Sequence, residues 1–222
     1  MIPPLEIETA PHPRGAVIWM HGLGADGHDF APIVPQLGIP PSSPLRFVFP
    51  HAPGMPVTIN GGCVMPAWYD VRHPDLAAEE DEAGIRTSQQ AVIALIEREK
   101  QRGIPPSRIV LAGFSQGGAM ALHTGLRYPE ALAGIIALST YLPLKASLPA
   151  EAATANRSCP IFMAHGRMDN VIPLSRGKQS RDLLLDCGYA PEWHEYAMAH
   201  SVCEEEIADI GAWLRRVLSP EC

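Results

Sequence analysis

A serine between glycines has the clearest chemical potential in this sequence. Ser115 lies in the pentapeptide GFSQG at residues 113–117, directly after an apolar run that predicts a buried strand. The small, apolar residues from Gln116 onward predict a buried helix. A strand, a tight turn and a helix in this order hold a serine in a strained turn, and the glycines leave room where side chains would clash. We therefore predict that Ser115 is a nucleophile.

A serine hydroxyl becomes a strong nucleophile only beside a general base. When the nucleophile stands on such a turn, the order along the chain is serine, acid, histidine, and the base follows the last strand. Two histidines lie in that zone. His194 falls inside a predicted strand at residues 191–196, which favours a structural role, whereas His200 lies in the loop that follows. We predict that His200 is the base.

The acid is expected after the preceding predicted strand, at residues 161–164. Asp169 follows that strand and precedes a predicted helix. An ordinary turn aspartate is the alternative, because Asp is common in turns. The position after the strand and the order along the chain favour Asp169 as the third member of a Ser-His-Asp triad. The neighbouring His165 is expected to satisfy backbone groups.

Acyl transfer also needs two backbone N–H groups aimed at the developing oxyanion. One is expected from the residue after the nucleophile, Gln116, and the other from the loop after an early strand. The sequence HGLG at residues 21–24 follows such a strand, so Leu23 is predicted as the second donor. Its glycine neighbours let the backbone approach a substrate closely.

The same loop also permits a different function. Residues 22–27 match the dinucleotide-binding pattern GxGxxG, which is typical of oxidoreductases that use NAD(P). That pattern requires a helix after the loop, which Pro32 and Pro35 interrupt, and an acid at the end of the next strand, which is missing. Arg46 could serve a 2′-phosphate but lies inside the strand. An oxidoreductase therefore remains a remote alternative.

Metal chemistry and a purely binding role are two further possibilities. His194 and Glu195 begin like a zinc-protease motif, but Met198 stands where the second histidine is required. The cysteines lack metal-ligand spacing. We therefore predict no metal and no cofactor. A non-catalytic module on the same fold is disfavoured because the triad and the oxyanion loop are both complete.

Short apolar runs alternating with helical patterns predict the elements that position these residues. This alternation indicates an α/β fold with a mostly parallel sheet between helices, formed by a single domain over residues 1–222. Two long irregular stretches, residues 51–75 and 141–157, are expected to shape the substrate site. Strands are predicted at residues 16–20, 45–49, 109–112, 134–138, 161–164 and 191–196, and helices at 82–102, 116–128, 173–187 and 202–218.

Composition restricts the partners. Seventeen basic residues against 24 acidic ones give a net charge of −7, so nucleic acid and stable membrane anchoring are not expected. No apolar stretch is long enough to span a membrane, and the N-terminus has no signal-peptide pattern. Five cysteines without close pairing indicate reduced thiols and a cytoplasmic location. The oligomeric state is open, and a homodimer is one option.

Several segments together resemble the phospholipase/carboxylesterase family, which includes acyl-protein thioesterases and small carboxylesterases. These segments are GFSQGGAM at 113–120, HGLG at 21–24, AHG at 164–166 with Asp169, and AHSV at 199–202, with MPAWYD at 65–70 and LSTYLP at 138–143 as further matches. The resemblance covers nearly the whole chain. It implies the α/β-hydrolase fold without a large lid domain, the same triad, and esters or thioesters with aliphatic acyl chains.

The expected activity is hydrolysis of small-molecule carboxylic esters, and of thioesters, with short to medium acyl chains. An acyl-protein thioesterase or a lysophospholipase is the alternative. The chain begins Met1-Ile2-Pro3-Pro4, without the acylated cysteine of eukaryotic relatives, which favours the carboxylesterase. The residues expected to line the acyl pocket are Leu23, Met65, Trp68 and Val171.

Overall fold

The computed structural model describes residues 2–76 and 78–219 of the chain. Within them, a seven-stranded sheet has the order β1-β3-β2-β6-β7-β8-β9, and β4 and β5 form a separate hairpin. The strands are β1 (Leu5–Glu8), β2 (Gly15–Met20), β3 (Leu45–Phe49), β4 (Gly54–Val57), β5 (Cys63–Pro66), β6 (Ile109–Phe114), β7 (Gly134–Leu138), β8 (Ile161–Gly166) and β9 (Glu192–Tyr196).

The six predicted strands pair in parallel, so the predicted α/β-hydrolase fold with a mostly parallel sheet is confirmed. The core strands β2, β3, β6 and β7 are buried almost throughout, as near-continuous apolar runs predict for a sheet covered on both faces. Strand β9 is the outermost strand on one side of the sheet. Because β2, β6, β8 and β9 are parallel, their carboxyl ends lie at the same end of the sheet, where the candidate residues follow them.

Helices cover both faces of this sheet. Apolar residues of α1, α2 and α4 join one buried cluster, and α5 joins the cluster on the opposite face together with a 3-10 helix at Ala31–Leu37. No helix of the described residues combines the length and apolar character needed to cross a membrane. The helices are α1 (Glu82–Gln101), α2 (Gln116–Arg127), α3 (Leu148–Glu151), α4 (Leu174–Asp186) and α5 (Glu204–Val217).

Two elements were missed from sequence. The stretch 51–75, expected to be irregular, contains the antiparallel β4–β5 hairpin, whose glycine and proline content hides the alternation of a strand. Strand β1 pairs antiparallel with β3 at the other side of the sheet, and its alternation of apolar and acidic residues spans only the four positions LEIE. The stretch 141–157 holds only α3 and short 3-10 turns.

Arg46, on β3 beside the outermost strand β1, has a structural role. Its guanidinium donates to Glu99 over 2.6 Å and to Glu8 over 2.9 Å, and the Glu99 side chain is fully buried. Glu99 is also paired with Arg102 at 2.9 Å. The guanidinium of Arg46 is therefore engaged in a buried ion-pair network. The loop at residues 22–27 leads into the 3-10 helix rather than an α-helix, so neither feature supports dinucleotide binding.

Candidate active site

Ser115 occupies the turn between β6 and α2 in a conformation that side-chain residues rarely adopt, with φ 55° and ψ −121°. Its N–H donates to the Leu138 carbonyl oxygen at the end of β7 over 2.8 Å. A Cβ atom on Gly113 would lie 2.2 Å from backbone atoms of Gly117, and one on Gly117 would lie 2.2 Å from the Met20 carbonyl oxygen. Only glycine fits at these two positions, so the surrounding sheet fixes the strained turn.

His200 and Asp169 are joined by a hydrogen bond. The His200 Nδ1–H donates to Asp169 Oδ2 over 2.7 Å, and the carboxylate is fully buried. Asp169 Oδ1 accepts the N–H groups of Val171 and Ile172, each at 2.9 Å. With both carboxylate oxygens engaged, Asp169 is fixed in position and directs the other ring nitrogen of His200 away from itself.

Both the candidate nucleophile, Ser115, and the candidate base, His200, line a cavity of about 420 Å³. The Phe114 ring packs beside the His200 ring, with 4.7 Å between the centroids. In the described part of the chain, no hydrogen bond joins the Ser115 hydroxyl to His200. Such contacts are often loose without substrate and tighten when the reacting group is bound.

The peptide between Gly22 and Leu23 is held through its carbonyl oxygen, which leaves its N–H free as a candidate oxyanion donor. Its carbonyl oxygen accepts the His21 Nδ1–H at 2.8 Å and the Ala25 N–H at 3.2 Å. In a trans peptide the N–H points opposite to the carbonyl, so the Leu23 N–H points away from both donors. Among residues 2–76 and 78–219 it meets no acceptor. Gln116, the first residue of α2, has an N–H without an intrahelical partner.

Trp68 bridges the two loops that carry these N–H groups. Its indole N–H donates to the His21 carbonyl oxygen over 2.9 Å, and its backbone N–H donates to the Gln116 side-chain oxygen over 2.8 Å. The amide nitrogen of Gln116 in turn donates to the Tyr69 carbonyl oxygen over 2.7 Å. These groups are buried, and their bonds connect the two segments that carry the candidate oxyanion donors.

The cavity wall differs in part from the expectation. Leu23 and Val171 line it, whereas Met65 and Trp68 are not among its lining residues. Trp68 is 4% exposed because its hydrogen bonds hold it in the core, and Met65 lies partly buried on β5. The lining residues are Gly22, Leu23, Ala25, Asp29, Ile59, Asn60, Tyr69, Val71, Pro74, Leu76, Phe114, Ser115, Gln116, Tyr141, Val171, Ile172 and His200.

A pair of tyrosines in this wall was missed from sequence. The hydroxyls of Tyr69 and Tyr141 lie 2.8 Å apart, and burial raises the pKa of both, to about 12 for Tyr141. Both hydroxyls therefore stay neutral and present a hydrogen-bonding spot on a mostly apolar wall. The long loops predicted to shape the site do contain them, but no sequence pattern pairs them.

Two buried histidines near the triad have structural roles. Burial lowers the pKa of His21 and His165, so both are neutral at neutral pH. His21 accepts the Ala52 N–H at Nε2 over 3.0 Å while its Nδ1–H holds Gly22. His165 Nε2–H donates to the Ile172 carbonyl oxygen over 2.8 Å, as expected for a residue that satisfies backbone groups.

His194 lies away from this arrangement. It belongs to β9, and its ring stacks on Phe162 with 4.6 Å between the centroids and on Tyr196 with 6.3 Å. It is not among the residues that line the cavity. This packing matches the structural role predicted for it.

Comparison with known proteins adds to this geometry. The model of the phospholipase/carboxylesterase family matches residues 6–218. The chain belongs to this family. It is 44% identical to acyl-protein thioesterase 1 of Neurospora crassa over 96% of this chain and 90% of the relative, and 39% identical to acyl-protein thioesterase 1 of Gibberella zeae over 99% and 97%. The resemblance stated from the sequence is confirmed.

Solved structures of similar proteins have the same fold as this chain. Arabidopsis thaliana SOBER1 superposes with a TM-score of 0.87 at 32% identity, over 93% of this chain and 100% of that chain. Acyl-protein thioesterase 2 of Zea mays has a TM-score of 0.82 at 25% identity, over 97% and 99%. As a member of this family, the chain is a serine hydrolase of esters or thioesters. The oxidoreductase alternative is therefore wrong.

Proposed function

We propose that Ser115, His200 and Asp169 are the catalytic triad of this hydrolase. The observation that carries the proposal is the His200–Asp169 hydrogen bond of 2.7 Å beside a cavity that Ser115 also lines. In this role Asp169 fixes the imidazole tautomer and stabilises its charged form. The strained turn at Ser115 supports the nucleophile assignment, because such strain clusters at functional sites.

The reaction proceeds in two halves. Ser115 Oγ attacks the carbonyl carbon while His200 Nε2 takes the hydroxyl proton, and the N–H groups of Leu23 and Gln116 stabilise the oxyanion. His200 then protonates the leaving alcohol or thiol, and an acyl-enzyme remains. In the second half His200 activates a water that releases the acid and restores Ser115.

The substrate class proposed for this site is carboxylic esters and thioesters with short to medium aliphatic acyl chains. The apolar wall of the cavity, which includes Leu23, Val171 and Ile59, supports an aliphatic acyl group. Acyl-protein thioesterase activity is the second candidate, and the 44% identity to the Neurospora crassa protein of that name favours it. The two candidates share one mechanism and differ in acyl length and leaving group.

The role of Ser115 has a direct test. We expect Ser115→Ala to lose turnover on the order of a thousandfold or more while its thermal unfolding stays near that of the wild type. A fluorophosphonate probe should label the wild type at Ser115 and leave the variant unlabelled. Ser139→Ala is the matched control. It should keep its turnover and its probe labelling, because Ser139 is fully buried. Hydrolysis retained by Ser115→Ala would refute the triad.

We propose a single domain over residues 1–222, supported by the seven-stranded sheet, whose strands extend along the chain from β1 to β9. A cytoplasmic location is supported by free thiols at the four described cysteines, which are Cys63, Cys159, Cys187 and Cys203. Light scattering of the purified chain would test whether a homodimer forms.

A further inference from the structure

Three side chains with metal-ligand chemistry meet beside the active-site cavity, outside the triad. Asp26, His28 and His51 each offer one ligand atom, and these atoms lie within 4.8 Å of one another. The side chains of His28 and Asp26 are 69% and 56% exposed, so a solvated ion can reach them. We call these three residues the loop-end cluster.

The cluster is held together before any ion arrives. His28 Nδ1–H lies 3.1 Å from Asp26 Oδ1, and the His28 backbone N–H donates to the same oxygen over 2.7 Å. The rings of His28 and His51 lie 5.5 Å apart, centroid to centroid. Two imidazoles and a carboxylate are thus preassembled on the surface.

The location links the cluster to the proposed oxyanion donor. Asp26 and His28 stand at the far end of the loop that begins at Gly22 and carries Leu23. The Gly27 N–H donates to His51 Nδ1 over 3.2 Å, which ties this end of the loop to the segment after β3. The backbone of Gly27 lies so close to β3 that a Cβ there would lie 2.6 Å from the Phe49 carbonyl oxygen.

We propose that the loop-end cluster is a binding site for a divalent cation of the zinc class. Imidazole nitrogen and carboxylate oxygen are ligands that Zn²⁺ prefers, and three protein ligands leave a fourth position for water. Ligand distances of about 2.1 Å allow two ligands on one ion to be at most about 4.2 Å apart, so the cluster must contract slightly. Rotation of the exposed side chains of Asp26 and His28 supplies that contraction.

Occupancy would change how the loop is held. A metal needs a ring nitrogen with a free lone pair. If it takes Nδ1 of His51 it displaces the Gly27 N–H, and if it takes Nε2 the ring proton moves to Nδ1, which then cannot accept. In both cases the Gly27–His51 bond breaks and the loop is tethered through Asp26 and His28 instead. The Leu23 N–H shifts with it, so an occupied site lowers turnover, a consequence that rests on the proposed function.

Calorimetric titration of the full chain with Zn²⁺ tests the site without reference to activity. The titration uses a Cys63→Ser background, because Cys63 is an exposed thiol that could bind zinc. We expect about one equivalent to bind, with affinity at least about tenfold lower in His28→Asn and in His51→Asn. His12→Asn, at an exposed histidine elsewhere, is the matched control and should bind like its parent.

His51→Asn also separates ligation from loop tethering. Asn Oδ1 stands where Nδ1 stood and can still accept the Gly27 N–H, so the turnover of this variant should be insensitive to Zn²⁺. The parent should lose turnover with Zn²⁺ and regain it with a chelator. Zinc affinity that is absent in the parent, or undiminished in both histidine variants, would overturn the site. An occupied site with unchanged turnover would overturn its link to Leu23, whereas no hydrolysis in zinc-free parent would instead refute the proposed function.

Discussion

The indole N–H of Trp68 donates a 2.9 Å hydrogen bond to the carbonyl oxygen of His21, the residue directly before the loop that carries the proposed oxyanion donor Leu23. The backbone N–H of the same tryptophan binds the side chain of Gln116, which supplies the second proposed oxyanion donor. One residue therefore connects both halves of the proposed oxyanion hole. Donors of this kind act by being fixed in advance at the place where charge develops, so their separation matters for turnover.

This relationship predicts the effect of Trp68→Phe, which removes the indole N–H and keeps an aromatic ring. We expect kcat to fall by about tenfold while KM changes little, because a displaced oxyanion donor affects the transition state more than the bound substrate. Steady-state kinetics on a soluble ester measure the split. Trp213→Phe is the control, since that buried indole lies in the cluster on the opposite face of the sheet and donates to Glu192. Equal kinetic losses in both variants would indicate general destabilisation.

The choice between two histidines is the second prediction. His200→Ala should abolish turnover, on the order of a thousandfold or more, because the hydroxyl of Ser115 loses its base. His194→Ala should retain kcat and lose some stability, since it removes a ring stacked on Phe162 in β9. Ester hydrolysis and thermal unfolding of both variants separate the two effects. Loss of activity in His194→Ala alone would transfer the base to that residue.

Sequence reasoning succeeded where the structure is local. The turn at Ser115 is specified by glycines two residues away on either side and by the strand and helix that flank it. Parallel strands have their carboxyl ends at the same end of the sheet. The proximity of Asp169 and His200 could therefore be predicted, because each follows one of two parallel strands.

Features that depend on distant contacts were not accessible from sequence. Trp68 was expected in the pocket, but hydrogen bonds to residues 47 and 48 positions away turn it inward. The residues next to Trp68 in the sequence do not predict those hydrogen bonds. The loop-end cluster joins Asp26 and His28 to a histidine on another segment, so the spacing of these residues in the sequence does not predict a metal site. Strand β1 alternates apolar and acidic residues over only four positions, LEIE, which is too short a pattern to distinguish a strand before its pairing with β3 is known.

A third prediction concerns pH and stability. Glu206, in the first turn of α5, is buried, and its carboxyl oxygens have no hydrogen-bond partner of good geometry among the described residues. Burial raises its pKa to about 8, against a smaller opposing influence of the Cys203 N–H. An acid with a raised folded-state pKa stabilises the fold fully below its unfolded pKa and loses that contribution as pH rises through the folded value. The loss therefore falls between about pH 4.5 and pH 8.

Replacing the carboxyl should remove this dependence. Glu206→Gln stays neutral, so its free energy of unfolding relative to wild type should rise from pH 5 to pH 8, by a few kcal/mol at about 1.4 kcal/mol per pKa unit. Urea unfolding of both proteins at the two pH values measures the difference. Glu205→Gln, at the exposed neighbour, should show a flat difference. A Glu206→Gln curve parallel to wild type would mean that Glu206 is ionised in the fold.

The last prediction concerns acyl length. Val171 is 66% exposed and lines the cavity, so it can contact an acyl chain near the entrance. Each methylene buried against such a wall contributes about 0.8 kcal/mol, or roughly fourfold in kcat/KM, until the pocket is full. Across p-nitrophenyl esters of about two to sixteen carbons, we expect kcat/KM to rise and then peak at short or medium length.

Two exposed valines make the acyl-length prediction specific. Val171→Ala should lower kcat/KM a few-fold on the preferred ester, because it removes apolar contact with the chain. Val64→Ala should not, since Val64 is 69% exposed on β5 and is not among the lining residues. A peptide palmitoylated on cysteine and a small-molecule palmitoyl thioester belong in the same panel. If kcat/KM is highest for that peptide, the short-chain proposal fails and acyl-protein thioesterase activity, the second candidate, replaces it with the same triad.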